Sequence, residues 1–194
     1  MTKRTHSAYK KIFTPQGELG KVQKKPNLDF LMNIFNIPRI YGVSGFGKWN
    51  VGQHSLCTAF LALYWAKYRK YPKEKRGELV TLAITHDLHE AVTGDILPFF
   101  KTKEVRKMID RIQGDIMKHF NMGESSELQH ELKLLDMTSF LYEIRVSGEK
   151  DGSNKKNKLL EEIYERQKAD ILVYASETGI PPKNVEEFLH VLGL

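Results

Sequence analysis

The 194 residues fit one domain, and 41% hydrophobic with 28% charged side chains is the composition of an ordinary globular protein. The single cysteine, Cys57, excludes an intramolecular disulfide framework, and no apolar run approaches the roughly 20 residues that span a bilayer. Residues 1–25 carry seven basic side chains and one acidic side chain, which accounts for the whole net charge of +6, so the neutral remainder argues against nucleic-acid binding. We expect a cytoplasmic protein with a basic extension, 1–25, and one domain, 26–194.

The first half of the chain predicts two helices separated by a glycine-rich loop. The first, 28–35, would turn Leu28, Leu31, Met32 and Phe35 toward a core. The loop, 39–49, lacks the Lys-Ser/Thr ending of a nucleotide P-loop. The second helix, 51–70, is strongly apolar, and its predicted buried face consists of Leu56, Ala59, Phe60, Leu63 and Tyr64.

The helix predicted at 79–93, after a polar turn at 72–77, carries the most informative side chains. His86 and Asp87 are adjacent, and Glu90 follows three and four positions later, so all three share one helix face. Gly94 would end this helix, and Asp95 would lie in the turn that follows. Unpaired charges are costly on a helix that packs against a core, and a divalent metal ion would satisfy them. For the His86–Asp87 pair alone, a surface dyad is the alternative interpretation.

The second half of the chain continues the helical pattern. Helices are predicted at 103–120, 127–145 and 159–178, and a short one follows Asn184. In the second of these, Asp136 lies beside a stripe made by Leu128, Leu132, Leu135 and Ser139. A polar connector is predicted at 147–157, and no alternating strand pattern occurs. The fold class is therefore predicted to be all-α, a helical bundle.

Four residues occur in an order that resembles a known signature. His54, the pair His86–Asp87 and Asp136 lie on different predicted helices. This order resembles the HD-domain metal-dependent phosphohydrolases. The segments NVGQHSL at 50–56 and HDLHEAVTGD at 86–95, with Lys101, resemble more closely the 5′-deoxynucleotidases and their phage relatives that hydrolyse deoxynucleoside triphosphates such as dATP. The resemblance runs from about residue 39 to residue 142.

The resemblance implies a metal site and a catalytic carboxylate. The metal ligands would be His54, His86, Asp87 and Asp136, two imidazoles and two carboxylates that suit Zn²⁺, Co²⁺ or Mn²⁺ better than Mg²⁺. Glu90 matches the catalytic glutamate of the family, which orients or deprotonates the attacking water.

The resemblance also implies residues for the substrate. Asp95 matches the aspartate that contacts the sugar, and Arg39 and Lys101 are candidates for the phosphate. The nucleotidases have Trp directly after this arginine, whereas Ile40 stands here and Lys48 and Trp49 lie nearer the histidine. Lys48 and Trp49 are therefore further candidates for substrate binding. His89 is interpreted as an exposed residue on the far face of its helix.

The leading hypothesis is metal-dependent hydrolysis of phosphate from a 2′-deoxyribonucleotide, either a monophosphate or a triphosphate. A phosphodiesterase or hydrolase of a signalling nucleotide is the second enzymatic hypothesis. A non-catalytic module that binds nucleic acid or a protein through the basic extension is the contrasting one. By analogy with its relatives we expect a homo-oligomer, a dimer or larger, and a host-cytoplasmic location if the chain is viral.

Overall fold

The computed structural model describes residues 28–40, 49–97, 100–120, 127–150 and 158–194. The predicted basic extension, Lys48, most of the glycine-rich loop and residues 151–157 of the predicted connector lie outside these ranges. Within them every regular element is a helix, and the β-type pairing is one isolated antiparallel bridge between Pro38 and Asn50. The predicted all-α fold class is confirmed.

Eight α-helices are described, with a 3₁₀ helix at Asn33–Asn36 directly after the first of them. In chain order they are α1 (Leu28–Met32), α2 (Val51–Tyr68), α3 (Lys73–Thr85), α4 (Glu90–Thr93), α5 (Lys103–His119), α6 (Gln129–Lys150), α7 (Lys158–Glu177) and α8 (Pro182–Val191). No helix within the described ranges is both long and apolar enough to cross a membrane.

The chain forms two compact units, and the described residues of the first are 28–39, 50–52, 86–97 and 100–120. Its buried apolar cluster consists of Ile34, Val51, Leu88, Ile112 and Ile116. The predicted core face of the first helix is wrong in three of its four positions, because Leu28, Met32 and Phe35 are exposed and Leu31 packs against the cluster. The change to a 3₁₀ helix at Asn33 alters the angular position of Phe35, which an α-helical period does not anticipate.

The described residues of the second unit are 40, 49, 53–85, 127–150 and 158–194. The largest side chain in its core is Trp65 on α2, whose ring lies 5.0 Å from that of Phe188 on α8. Within this unit α6 packs against α3 and α7, and α7 packs against α8.

The predicted buried face of α2 is wrong except at Ala59. The predicted core positions Leu56, Phe60, Leu63 and Tyr64 are exposed, and the buried face carries small or polar side chains together with Val51, Leu61 and Trp65. Because α2 is apolar on both sides, periodicity alone does not decide which side is buried. The small side chains of the alanines at positions 59, 62 and 66 permit close packing against α2, and the side of α2 that carries them is the buried one.

The helix predicted at 79–93 is interrupted. The α3 helix begins at Lys73, inside the predicted polar turn, and ends at Thr85, while residues 86–89 form turns before α4. The backbone N–H of His89 donates to the side chain of Gln113, which replaces the bond to residue 85 that a continuous helix would make.

Two other predicted boundaries are corrected. The α6 helix continues through positions 147–150, where the sequence predicts a connector, because Ser147 is buried and extends the packed face. The α8 helix begins at Pro182 rather than after Asn184, since proline is well tolerated in the first helical turn.

Candidate metal centre

In the first unit the turn between α3 and α4 brings together four residues that the sequence predicts for the site. The Asp87 carboxylate lies 3.2 Å from the His86 Nε2 and 3.7 Å from an Arg39 guanidinium nitrogen. The Glu90 backbone N–H donates to the Asp87 carbonyl at 2.9 Å, which places Glu90 at the start of α4. A tight turn therefore assembles these groups, instead of the single helix face that the sequence predicts.

The exit from α4 is formed as the sequence predicts. Gly94 has φ of +70°, a left-handed value that favours glycine, and its N–H donates to the Glu90 carbonyl at 2.9 Å. Asp95 follows in the irregular segment after the helix and is half-buried. Gly94 thus allows the chain to turn directly after α4, the helix that begins with the catalytic candidate Glu90.

The Glu90 carboxyl is strongly affected by its surroundings. Its side chain is 2% exposed, and among the described residues its Oε2 atom has no hydrogen-bond partner. Burial, followed by the negative charges of Asp87 and Asp95, raises its pKa to about 9, and the positive charges of Arg39 and Lys101 oppose this shift. Asp95 and Lys101 are therefore close enough to Glu90 for their charges to affect it.

His89 is buried, so its predicted exposure on a far helix face is wrong. The side chain points inward because residue 89 lies in the turn and not on the predicted helix. Burial lowers the pKa of the imidazole, which is therefore neutral near pH 7, the form that coordinates metals. Asp87, His89 and Glu90 each offer one ligand atom, and these atoms lie within 4.8 Å of one another.

In the second unit His54 is fully buried in the first turn of α2. Its Nε2 lies 3.0 Å from the Asp136 Oδ1, so the two predicted metal ligands of this unit are in contact. Its Nδ1 lies 2.5 Å from the Glu143 Oε1 and 3.1 Å from the Ser139 Oγ. Asp136 also accepts a hydrogen bond from Lys133 at 2.6 Å and remains partly exposed.

Glu143, which contacts the predicted ligand His54, is a residue that the sequence reasoning missed. It lies seven residues after Asp136 and four after Ser139, the spacing that places side chains on one helix face. The spacing from Asp136 could have identified Glu143, because a carboxylate two helical turns beyond a predicted ligand is well placed to contact the same imidazole.

Trp49 belongs to the second unit and lines a cavity there. Its ring meets that of Tyr142 edge-on at 6.1 Å, and it lines a mostly apolar cavity of about 650 Å³. The other lining residues include Leu56, Phe60 and Tyr64 of α2 and Val191 of α8. Lys48 lies outside the described residues, so substrate binding by either residue stays a prediction.

The donor groups fit a divalent transition metal ion. Imidazole nitrogens and carboxylate oxygens are the ligands that Zn²⁺, Co²⁺ and Mn²⁺ accept together. Among the described residues, the buried His89 Nδ1 has no hydrogen-bond partner, which leaves a polar atom that a cation would satisfy. The cluster of Asp87, His89 and Glu90 could therefore hold a metal ion.

Comparison with known proteins identifies a family and a protein of similar fold. A family described as HD domain matches residues 43–143, more than half of the chain. The fold is similar to that of an HD phosphohydrolase (DatZ) from cyanophage S-2L, solved with dA and one catalytic Zn²⁺ ion, with a TM-score of 0.68 and 15% sequence identity over 86% of this chain and 96% of that one. No curated protein matches the sequence.

Proposed function

Because the chain belongs to the HD domain family, we propose that it is a metal-dependent phosphohydrolase that removes phosphate from 2′-deoxyribonucleotides. The observation that carries the proposal is the buried Glu90 carboxyl, which lies among Asp87, Asp95, Arg39 and Lys101 in one unit. Such a group, with a perturbed pKa beside both acidic and basic side chains, is typical of a hydrolytic site. The deoxyadenosine and Zn²⁺ bound by the cyanophage phosphohydrolase support the same substrate class and cofactor.

We propose His54, His86, Asp87 and Asp136 as the metal ligands, and Zn²⁺, Co²⁺ or Mn²⁺ as the ion. The His54–Asp136 contact and the His86–Asp87 contact support the assignment, since each pairs an imidazole with a carboxylate. When bound, the ion supplies positive charge for the phosphoryl oxygens and lowers the pKa of a coordinated water.

Glu90 is proposed to accept the proton of the attacking water at its Oε2 atom. The raised pKa makes the carboxylate a stronger base than an ordinary glutamate. When the charge of Asp87 is neutralised by a bound cation, one cause of the raised pKa of Glu90 is removed. The pKa of Glu90 then moves from about 9 toward neutrality. General bases work best in that range.

The remaining predicted residues are proposed to bind the substrate. Arg39 and Lys101 would hold the phosphate, Arg39 through a planar fork and Lys101 as a point charge. Asp95 would accept a hydrogen bond from the sugar hydroxyl, and Lys48 and Trp49 would contact the remainder of the nucleotide. The number of phosphates removed decides which of these cations are used.

The proposal is tested by phosphate release from ribo- and deoxynucleoside mono-, di- and triphosphates, with Zn²⁺, Co²⁺, Mn²⁺ or Mg²⁺ added. We expect metal-dependent release from deoxynucleotides that is abolished in Asp87→Ala and lowered at least a hundredfold in Glu90→Gln. Glu127→Gln, a surface carboxylate paired with Lys75, is the matched control and should keep full activity.

Adding cyclic and other signalling nucleotides to that assay, with the nucleotide products separated by chromatography, distinguishes the alternative hypotheses. Cleavage of a cyclic or signalling nucleotide, without release from deoxynucleotides, would replace the proposed substrate class. A chain that binds metal and releases phosphate from none of these compounds would favour a binding module. Deleting residues 1–25 should leave turnover unchanged in an enzyme, whereas a binder that uses this extension would lose affinity and salt dependence.

We also propose that the chain self-associates and that residues 26–194 act as one functional domain. The exposed apolar side chains of α2, with Val191 of α8, support self-association. A cytoplasmic location stays a prediction from the sequence.

A further inference from the structure

A completely buried carboxylate contacts the proposed metal ligand of α2. Glu143 is 0% exposed, and its Oε1 lies 2.5 Å from the Nδ1 of His54. The Ser139 hydroxyl donates to the same Oε1 at 3.4 Å and lies 3.1 Å from the same nitrogen. Burial of a carboxylate is unfavourable unless such hydrogen bonds compensate it, so this contact is a specific feature of the core.

Both ring nitrogens of His54 face side chains of α6. Asp136, Ser139 and Glu143 stand at positions i, i+3 and i+7, on one face of that helix. Asp136 contacts Nε2 at 3.0 Å, and Glu143 contacts Nδ1 on the other side of the ring. One helix therefore holds the imidazole at both ends.

The two ends of the ring are chemically different. Carboxylate oxygens accept hydrogen bonds from imidazole N–H groups, so the 2.5 Å contact between the Glu143 Oε1 and Nδ1 assigns the ring proton to Nδ1. In a neutral imidazole the other nitrogen, Nε2, then has the free lone pair. This nitrogen is the one on the side of Asp136, which is the second proposed ligand in this unit.

We propose that Glu143 is a positioning residue that fixes His54 in its Nδ1–H tautomer and thereby directs the Nε2 lone pair to the metal ion. The proposal rests on the proposed function, in which His54 is a ligand. Ser139 assists by donating to the same carboxylate oxygen. Carboxylates that orient a ligating histidine in this way typically contribute 10- to 100-fold to metal affinity.

The first measurement reads the tautomer without any substitution. In zinc-loaded protein labelled with ¹⁵N at histidine, two-bond ¹H–¹⁵N spectra report which ring nitrogen is protonated, and His54→Ala assigns the signal. We expect His54 to be protonated at Nδ1 and metal-bound at Nε2. Protonation at Nε2, with Nδ1 bound to the metal, would overturn the proposal.

The second measurement is zinc affinity by competition with a chromophoric chelator. Glu143→Gln keeps the volume of the side chain and removes its charge, and we expect zinc to bind about 10- to 100-fold more weakly. Glu143→Asp keeps the charge but is too short to reach the imidazole, so it should lose a similar factor. Glu127→Gln, the surface control, should bind as the unsubstituted chain does.

The controls distinguish two kinds of failure. If His54→Ala weakens zinc binding while a folded Glu143→Gln binds normally, the positioning role is overturned and the proposed function stands. If His54→Ala itself binds zinc normally, the assignment of His54 fails and the positioning role fails with it. Circular dichroism of each metal-free variant verifies that the helices are intact.

Discussion

At the scale of single residues, the Glu90 carboxyl connects the local structure with the proposed chemistry. The turn at residues 86–89 buries it beside Asp87, and the chain direction after Gly94 brings Asp95 near enough to add to the shift. Burial and the two negative neighbours all raise the pKa, so the carboxyl of Glu90 stays protonated to a pH far above its ordinary pKa. The same environment makes the ionised form reactive toward a proton of water.

The raised pKa of Glu90 predicts how the stability of the metal-free protein depends on pH. Its ordinary value is 4.5 and its folded value is about 9, so between these values the folded state binds more protons than the unfolded state. The contribution is complete below about pH 4.5 and is lost as the pH rises toward 9. Glu90→Gln removes this titration. Between pH 6 and pH 8.5 the free energy of unfolding of the variant should therefore fall by at least about 1 kcal/mol less than that of the unsubstituted chain.

Urea unfolding in the presence of a chelator measures this difference at the two pH values. Glu127→Gln, on the surface, should have the same pH dependence as the unsubstituted chain. If Glu90→Gln and the unsubstituted chain lose equal stability over this interval, the pKa of Glu90 is not raised in the folded protein.

Arg39 is predicted to act on substrate binding. Its guanidinium lies 3.7 Å from Asp87, where it can donate to a phosphate beside the proposed metal ligands. Hydrogen bonds to charged groups contribute about 1.5–3 kcal/mol, so Arg39→Ala should raise KM for the nucleotide by about 10- to 100-fold. Steady-state kinetics measure this, with the exposed Arg166→Ala as the control. An unchanged KM in Arg39→Ala would show that Arg39 does not bind the phosphate.

At the scale of helices, the start of α2 is fixed by a close contact with the 3₁₀ helix. A Cβ added at Gly52 would lie 2.6 Å from the ring of Phe35, too close for an undistorted structure. Alanine ordinarily stabilises a helix interior by about 0.5–1 kcal/mol relative to glycine. Here we expect Gly52→Ala to destabilise the protein by about 1–3 kcal/mol, because the ring must move away.

A double-mutant cycle with Phe35→Ala separates the steric effect from helix propensity. In the Phe35→Ala background, Gly52→Ala should be neutral or stabilising, as measured by urea unfolding. Equal destabilisation in both backgrounds would mean that the ring of Phe35 does not restrict position 52.

The helices could be predicted from the sequence, while some of their faces and junctions could not. The stripe of Leu128, Leu132, Leu135 and Ser139 is buried as predicted, and Leu134, Leu141 and Ile144, which lie outside the stripe, are buried as well. On α2 both faces are apolar, so the sequence favours the face with the larger side chains as the buried one. In the structure the face that carries the closely packed alanines is buried instead. The break at residues 86–89 depends on Gln113, a contact that no local pattern reveals.

The candidate site shows the same limit. The sequence order of His54, His86–Asp87 and Asp136 identified the proposed ligands, and the contacts within each unit are compatible with them. Glu143 and the buried His89 were missed, because their roles depend on the path of the chain and not on their neighbours in sequence.

At the scale of the whole molecule, the outer face of α2 is the feature that predicts assembly. Phe60 is 55% exposed and Tyr64 57%, and both lie at the cavity that Val191 also lines. Exposed apolar patches of several hundred Å² mark interaction sites, and a stable dimer buries about 800 Å² on each partner. A second copy of the chain is the expected partner.

Phe60→Glu should therefore shift the protein toward the monomer. The side chain is exposed, so the substitution should change the free energy of unfolding of the monomer by no more than about 0.5 kcal/mol. Sedimentation equilibrium at tens of micromolar should give a dimer or larger assembly for the unsubstituted chain and for the control Arg166→Glu, at an exposed position on α7. A monomeric unsubstituted chain would contradict the predicted self-association.

The most direct test of the metal site is calorimetric titration of the metal-free protein with Zn²⁺. We predict a single ion per chain, bound at least about a hundredfold more weakly after alanine substitution of any of the four proposed ligands, His54, His86, Asp87 and Asp136. Loss of affinity in all four variants would establish that these residues bind one ion together. Absence of zinc binding by the unsubstituted chain, or normal binding after His54→Ala and Asp136→Ala, would contradict the proposed metal centre.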